Sequence, residues 1–399
     1  MAPTSTSGTL PPQLLSVAPM MDWTDVHYRQ LARLLSKNTW LYTEMVVDKT
    51  LIHNPDHDRF LWFPPEQHPV VCQLGGSDPA SLAAAVKIVE RYGYDEINLN
   101  CGCPSSRVAG AGCFGAALML RPELVAACCQ AMAEATSIPI TVKCRLGVDD
   151  VDSYEELCHF IHTVAEGSPV RHFHMHSRKC LLKGLDPHQN RTIPPLKREW
   201  VFALKRDFPH LHFYLNGGVL GHVEAAEAIA HRTEGGGSIH GAMIGRAAYY
   251  QPWDCLSDVD LRLYGAETNA AISRRQVLEE YGRYGDSMIG RFMDNGKIRA
   301  PNVLEEYGRY GDSMVGRFMD NGKIRAPNVR TIVKPLLNMF HGEPGCKKWK
   351  QALDKALKSA TSVSSVLQET LVHIPDRVLD APPKVATAPV LAFEHWQSL

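Results

Sequence analysis

EINLNCGCPSSRVAGAGCFGAALM, residues Glu96 to Met119, is the stretch on which the fold turns. From Glu96 to Asn100 polar and apolar residues alternate as in a short strand, and the run breaks at Cys101-Gly102-Cys103-Pro104 into a glycine-rich loop. A thiol therefore stands where a strand ends. In an α/β barrel the strand ends form the catalytic face, so Cys103 is placed for chemistry. Taken by itself, a small turn residue is the simpler reading, because free cysteine is usually packing.

Working outward, seven further β-like runs appear: Ser16 to Met20, Leu41 to Met45, Val70 to Gly75, Ile140 to Gly147, His172 to His176, His212 to Gly218 and Gly241 to Arg246. Stretches with helical apolar spacing lie between most of them, at Ala80 to Tyr92, Pro122 to Thr136, Ser153 to Val164, Pro195 to Asp207 and Val223 to His231. Alternation of this kind predicts an α/β fold, a (β/α)8 TIM barrel, followed by a smaller all-helical C-terminal domain. A doubly wound sheet is the alternative, but no G-x-G-x-x-G follows the first strand. Polar residues recur at the strand ends instead, with Met20 and Met21 after the first: Glu44, Gln73, Asn100 with Cys103, Lys143 with Arg145, His176 with Arg178 and Lys179, Asn216-Gly217-Gly218, and Gly245-Arg246. The last two groups suit a phosphate, since glycine admits close backbone N–H groups and Arg246 adds a charged fork.

With 399 residues the chain has room for one large domain and a smaller one. No apolar run approaches the ~20 residues needed to span a bilayer, and no signal-peptide pattern opens the chain. Eleven scattered cysteines fit reduced thiols, so a cytoplasmic protein is expected, with an organelle left open. The net charge of −1 is uneven: Ala271 to Ala360 holds 17 lysines and arginines against 10 acidic residues. A basic C-terminal part faces either solvent or a polyanion.

SVAPMMDWTD, LYTEM, QLGGSDP, GYDEINLNCGCPSSRV, TVKCRLG, HSRK, NRTIPPL, LNGG and IGRAAY together resemble the A-type tRNA-dihydrouridine synthases, the FMN-dependent tRNA-dihydrouridine(20/20a) synthase family. The resemblance runs from about Ser16 to Tyr250 and resumes from Val303 to about Trp349. It implies a TIM barrel holding FMN, a helical domain that helps bind tRNA, and NADPH-dependent reduction of a D-loop uridine. It places flavin contacts on Pro19, Met20, Met21, Gln73, Lys143, His176, Asn216, Gly217, Gly218, Gly245 and Arg246, and the catalytic cysteine on Cys103. Asn100, His188 and Arg191 fall on tRNA-contacting positions. Two departures stand out: His188 replaces a frequent lysine, and Ala117 replaces a second cysteine found in many members. A monomer with no membrane partner and no metal is expected. The implied boundaries are a disordered tail over 1–13, the barrel over 14–262, a helical tRNA-binding domain over 270–362 and a loose tail over 375–399.

Reducing the uracil 5,6-double bond takes hydride at C6 and a proton at C5, and a thiol with a pKa near ~8.5 is protonated at neutral pH where a carboxylate is not. Lys143, near the flavin's pyrimidine edge, would favour an anionic reduced form. His172, His174 and His176 alternate on one strand face, yet the resemblance uses only the last, so no zinc site is expected there. Basic residues such as Arg330, Lys334, Lys347, Lys348 and Lys350 would hold RNA phosphates. Two other readings are a flavin barrel that reduces a free small molecule, and a tRNA-binding protein inactivated by a duplication. That duplication is unusual: Val277 to Asn302 recurs as Val303 to Asn328, differing only at Ile289 against Val315. Each copy predicts an amphipathic helix and an Asp-Asn-Gly turn. The second copy, which runs directly into Val329 to Leu337, is expected to keep the packing place and the first to be displaced outward.

Overall fold

Strands covered on both faces read as unbroken buried runs, and Val70–Gly75 and Glu96–Cys101 are buried at every residue. Eight parallel strands close a barrel in sequence order: β1 (Leu15–Val17), β2 (Trp40–Val47), β3 (Val70–Gly75), β4 (Glu96–Cys101), β5 (Ile140–Arg145), β6 (His172–His176), β7 (His212–Asn216) and β8 (Gly241–Ile244), with β8 pairing back onto β1. This computed structural model describes residues 10–104, 114–291, 293–294, 297–298, 319–320, 323–324 and 327–384. The TIM barrel read from the sequence is the observed fold, and every expected strand lies within a few residues of its place.

The outer helices start where side chains satisfy their first N–H groups. Asp78 accepts from Ser81 N ahead of the helix Pro79–Glu90, and Ser153 with Glu156 forms a reciprocal cap on Tyr154–Glu166. The barrel interior is filled by Ala18, Trp40, Tyr42, Val71 and Met243, around a polar core in which Tyr42 Oη meets His174 Nε2 at 2.8 Å. Gln13 Nε2 donates to the same hydroxyl at 3.1 Å, and Trp40 Nε1 donates to Pro11 O at 3.0 Å. The expected tail over 1–13 is therefore packed at its end, because Gln13 serves as a floor to the barrel core. Residues 1–9 lie outside the described part.

By contacts the chain forms two units, Met1–Met21 with Trp40–Gly245, and Asp22–Thr39 with Arg246–Leu399. The first is the barrel. The second takes in the helix Val26–Leu35, which the sequence boundaries assign to the barrel. Its allegiance has clear causes: Tyr28 Oη donates to Ala248 O at 2.8 Å and His27 Nδ1 meets Tyr284 Oη at 3.0 Å. The Asp260 carboxylate accepts from Ser36 Oγ at 2.7 Å and Lys37 N at 2.8 Å.

Within the second unit the helix Arg274–Met288 is central, with Val277, Leu278, Tyr281 and Met288 buried. This is the first copy of the repeat, so the expected displacement of that copy is corrected. The reason lies upstream of the repeat. Ser273 Oγ accepts from Gln276 N, Arg274 bonds Met339 O, Val378 O and Glu343, and Arg275 pairs with Asp376 and Asp380. Only the first copy follows these anchors. Gly285 then meets Val363, and Asp286 accepts from Val363 N at 2.5 Å at the start of the helix Val363–Thr370. The helical stretch of the second copy, 303–318, lies outside the described residues. Each copy also supplies a two-residue antiparallel pair, Met293–Asp294 with Lys297–Ile298 and Met319–Asp320 with Lys323–Ile324. The expected loose tail begins instead with a docked helix, Asp376–Leu379, whose Val378 and Leu379 are buried; 385–399 lies outside the described residues.

Candidate active site

Where β4 ends, the side chain of Asn100 turns the chain. Its Oδ1 accepts from the N–H groups of both Gly102 and Cys103 at 3.0 Å, a local bond that asparagine makes readily at turns. Ala116 N donates to Cys103 O at 2.9 Å, so the backbone of the thiol-bearing residue is held on both sides. Cys103 is partly exposed there, whereas Cys101, Cys128, Cys129, Cys144 and Cys180 are buried. Burial pushes the Cys144 thiol up to about 12 and that of Cys180 to about 11. Those thiols stay protonated and out of reach.

Asn100 is tied in turn to β3. Its Nδ2 donates to Gln73 Oε1 at 2.8 Å, Gln73 Nε2 donates to Asn98 Oδ1 at 2.8 Å, and Asn98 Nδ2 donates to Thr141 Oγ1 at 2.9 Å. This amide ladder runs across three strands and is fully buried, which fixes the orientation of each member. Gln73 retains one N–H and one lone pair for a ligand. Asn100 has most of its capacity committed to the loop.

Lys143 lies on β5 with some surface open to the mouth. Its Nζ donates to Asn216 Oδ1 at 3.0 Å, and Asn216 Nδ2 donates to Met243 O at 2.8 Å. Burial, then the charges of Arg145 and Arg191, lowers its ammonium to about 8. His176 is held well below the ordinary histidine range, first by burial and then by Arg145, Lys143, Arg178 and Arg191, so its ring is neutral. The charges that act on this imidazole are four cations. Its Nδ1 is buried and has no hydrogen-bond partner.

Gly217 and Gly218 follow β7 with φ of 99° and 73°, a left-handed pair that a side chain would strain. A Cβ at Gly218 would come within 2.7 Å of Leu196 and 2.8 Å of Arg198. A Cβ at Gly245 would meet open space. Pro19 and Met20 are half-buried just past β1, and Met21 is exposed. Arg246 opens the helix Arg246–Tyr250 and belongs to the second unit. His188 and Arg191 are exposed around the turn Gln189–Arg191. The buried Asn190 anchors that turn through Leu181 N and the carbonyls of Leu181 and Leu185.

Thus Cys103, Asn100 and Gln73 are linked by hydrogen bonds, and Lys143 with Asn216. Lys143, His176 and Arg191 share one field. A flavin fits this site on two observations, the unpartnered Nδ1 of His176 and the open space over the backbone at Gly245. Arg145 was noted in the sequence only as a strand-end residue. The signal that could have singled it out is its spacing, two residues beyond Lys143 and hence on the same strand face.

A family model described as dihydrouridine synthase (Dus) matches residues 16–376. The chain is 40% identical over 377 residues to the tRNA-dihydrouridine(20/20a) synthase of Salmonella typhi, covering 94% of this chain and 100% of that protein. It is 41% identical over 362 residues to the protein of that name from Escherichia coli (strain K12), covering 91% and 92% respectively. The relative of the same name from Synechocystis sp. (strain ATCC 27184 / PCC 6803 / Kazusa) is 41% identical over 357 residues, covering 90% and 93%.

Proposed function

The chain belongs to the dihydrouridine synthase family, and on that premise we propose that it reduces a D-loop uridine of tRNA with FMN as its flavin, NADPH as the reductant and Cys103 as the proton donor. The reaction, reduction of uridine to 5,6-dihydrouridine in tRNA, is that of a flavin-dependent oxidoreductase. FMN rather than FAD is supported by a single phosphate-type loop pair, Asn216 to Gly218 and Gly245-Arg246, with no dinucleotide fingerprint after β1. Recovery of FAD from the purified protein would count against this.

The flavin would be held by Pro19, Met20, Met21, Gln73, Lys143, His176, Asn216, Gly217, Gly218, Gly245 and Arg246. When bound and reduced it supplies the hydride for C6 of the uracil. Lys143 then offers a cation, oriented by Asn216 Oδ1. His176, neutral, offers its free Nδ1 as donor or acceptor. Cys103 gives its S–H proton to C5, leaves a thiolate beside Lys143 and Arg145, and regains a proton from solvent. A carboxylic acid at this place would be ionised at neutral pH and could not serve.

Asn100, His188 and Arg191 are proposed to act on the RNA side, Asn100 chiefly by shaping the thiol loop. The exposed Arg191 and the basic residues Lys347, Lys348 and Lys350 would meet phosphates, and a D-loop base splays out at less cost than a paired one. No described helix is long and apolar enough to cross a membrane. We assign the work to a cytoplasmic monomer.

The observation that carries this reading is the partly exposed thiol of Cys103, fixed at both of its peptide groups and coupled to the charges of Lys143 and Arg145. Its test is dihydrouridine formation in unmodified tRNA incubated with protein, FMN and NADPH, beside free uridine and a small enone. Turnover of the free compounds without tRNA would favour the small-molecule reductase. Binding of tRNA without product would favour the inactivated form.

A further inference from the structure

Arg145 is 3% exposed, yet it is a cation that faces no carboxylate in its hydrogen bonds. Its Nε donates to Gly102 O at 2.8 Å, and its Nη1 donates to Lys179 O at 3.0 Å and Asn190 O at 2.9 Å. Each acceptor is a backbone carbonyl next to, or in the same loop as, a residue of the candidate site. Gly102 precedes Cys103, Asn190 precedes Arg191, and Lys179 lies in the loop after β6. Gly102 thus has both peptide groups held by side chains, its N–H by Asn100 and its C=O by Arg145.

Burying a guanidinium to bind neutral carbonyls is costly, since a neutral donor would satisfy a carbonyl without taking a charge out of water. Burial, with Arg191 and Arg178 adding to it, brings the guanidinium down to about 10, still charged at neutral pH. Among the charges it senses is that of Cys103 as thiolate. With 3% of its surface exposed and its Nε and Nη1 donors committed to these carbonyls, it has little left with which to grip the RNA itself.

We propose that Arg145 is a positioning residue for the reduction: its planar fork locks the loop of Cys103 to the loop of Arg191 and holds a fixed positive charge where the donor thiol becomes a thiolate. The inference rests on the reading of Cys103 as the proton donor. Misplacing a reacting group by about 1 Å costs on the order of 100-fold in rate, so loss of the fork should be felt in chemistry and not in binding.

The test uses the full flavin-loaded protein with Arg145→Gln, Arg145→Lys, Cys103→Ala and the double variant Arg145→Gln/Cys103→Ala. Four quantities are read: flavin content, flavin reduction by NADPH, tRNA dissociation constant, and single-turnover dihydrouridine formation from reduced protein. Arg145→Gln is expected to form dihydrouridine roughly 10- to 100-fold more slowly, with flavin reduction and tRNA affinity within about threefold of the parent. Arg145→Lys, which keeps the charge and loses the fork, should fall between the two. In the Cys103→Ala background the glutamine substitution should cost nothing further, because Arg145 acts through the thiol. The proposal is overturned if the two losses multiply, if tRNA affinity falls by the same factor as the rate, or if Arg145→Gln works at the parental rate. Should Arg145→Gln not fold, Arg145→Lys decides: a parental rate rejects the fork, and a slower rate at parental tRNA affinity upholds it. A parental rate for Cys103→Ala alone would instead sink the underlying reading of the thiol.

Discussion

Strand β6 carries a histidine at each level of the barrel, and the two ends treat theirs in opposite ways. At the mouth, His176 stacks on no other imidazole among the described residues and lies in the field of Lys143, Arg145, Arg178 and Arg191. At the floor, His172 stacks on His212 with ring centroids 4.6 Å apart, and His212 stacks on His240 at 3.8 Å, both within 8° of parallel. Glu96 approaches His172 Nδ1 at 3.5 Å. Between them His174 is locked to the hydroxyl of Tyr42. The floor stacks its imidazoles face to face, and the mouth sets its imidazole among four cations. Like charges gathered around a neutral ring are expensive, and groups perturbed in this way cluster at functional sites.

The largest effect expected at the mouth is on the thiol. Cys103→Ala should keep flavin and its reduction by NADPH while dihydrouridine formation falls about 10²- to 10⁴-fold. Cys101→Ala, two residues earlier at the end of β4 and fully buried, should keep most activity. Equal losses in the two variants, with release of flavin, would turn the mouth into a second structural region and erase the contrast with the floor.

Next in size is the cation. Lys143→Met should weaken FMN binding roughly 10- to 100-fold, as for loss of a buried charge-assisted contact. The parent should show the same weakness reached by pH. Lys143 is charged below about 8 and neutral above it, so FMN affinity should fall as pH rises through that value. A titration of FMN into flavin-free protein from pH 6 to pH 9 checks the sign. Affinity that rises over this range would show that the lysine does not face an anion.

How much of this was legible in the sequence depends on the distance over which each feature is decided. The strand ends were legible, because alternation, glycine turns and strand length are local, and β3 and β6 lie where they were read. Lys143, Cys103 and Asn216 were singled out by motif resemblance, and the structure joins Lys143 to Asn216 and sets Cys103 just past β4. The partners were not. Asn100 was expected on the RNA side, yet its amide is committed to Gly102, Cys103 and Gln73. Arg145 looked like any cation near a strand end, since the carbonyls it holds lie 43, 34 and 45 residues away. The helix Val26–Leu35 follows β1 as a barrel helix should, and only the bonds to Ala248, Asp260 and Tyr284 reveal its other allegiance.

The floor should answer to acid. Burial, then His172 and Lys205, lowers His212 to about 4, and burial with His212, Lys205 and His172 lowers His240 to about 3. Both values lie below that of an unfolded histidine, near ~6.5, so the unfolded chain takes up the protons first. The stability they contribute is complete above about pH 6.5 and is lost as pH falls toward about 4. Both rings are partly exposed, so the combined loss is discounted to about 1–2 kcal/mol, a fall of a few degrees in Tm. His240→Phe keeps a flat ring in the stack and removes one titration. It should flatten the acid limb while leaving FMN affinity at pH 7 unchanged. A steeper limb in this variant would show that His240 contributes through its polarity and not its face.

The smallest effect is expected from the largest excision, and it separates both barrel ends from the repeat. Because the copies differ only at Ile289 and Val315, deleting 277–302 or 303–328 yields the same chain apart from that one side chain. In the second case Asn302 takes the place of Asn328, whose Oδ1 accepts from Thr331 N at 3.0 Å to start the helix Val329–Val333. The join is short, since Gly290 N already donates to Pro327 O at 3.4 Å. The packed helix Arg274–Met288 keeps its anchors at Ser273 to Arg275 in either case. Ile289 is 36% exposed, so exchanging it for valine should cost less than the ~0.5–1.5 kcal/mol of a buried Ile→Val change. Both deletions should therefore match the full chain in Tm to within about two degrees, and match it in the acid limb, FMN affinity and dihydrouridine formation on tRNA. A deletion that kept the barrel's acid limb and flavin but lost product on tRNA would show that the second copy has work of its own on the RNA.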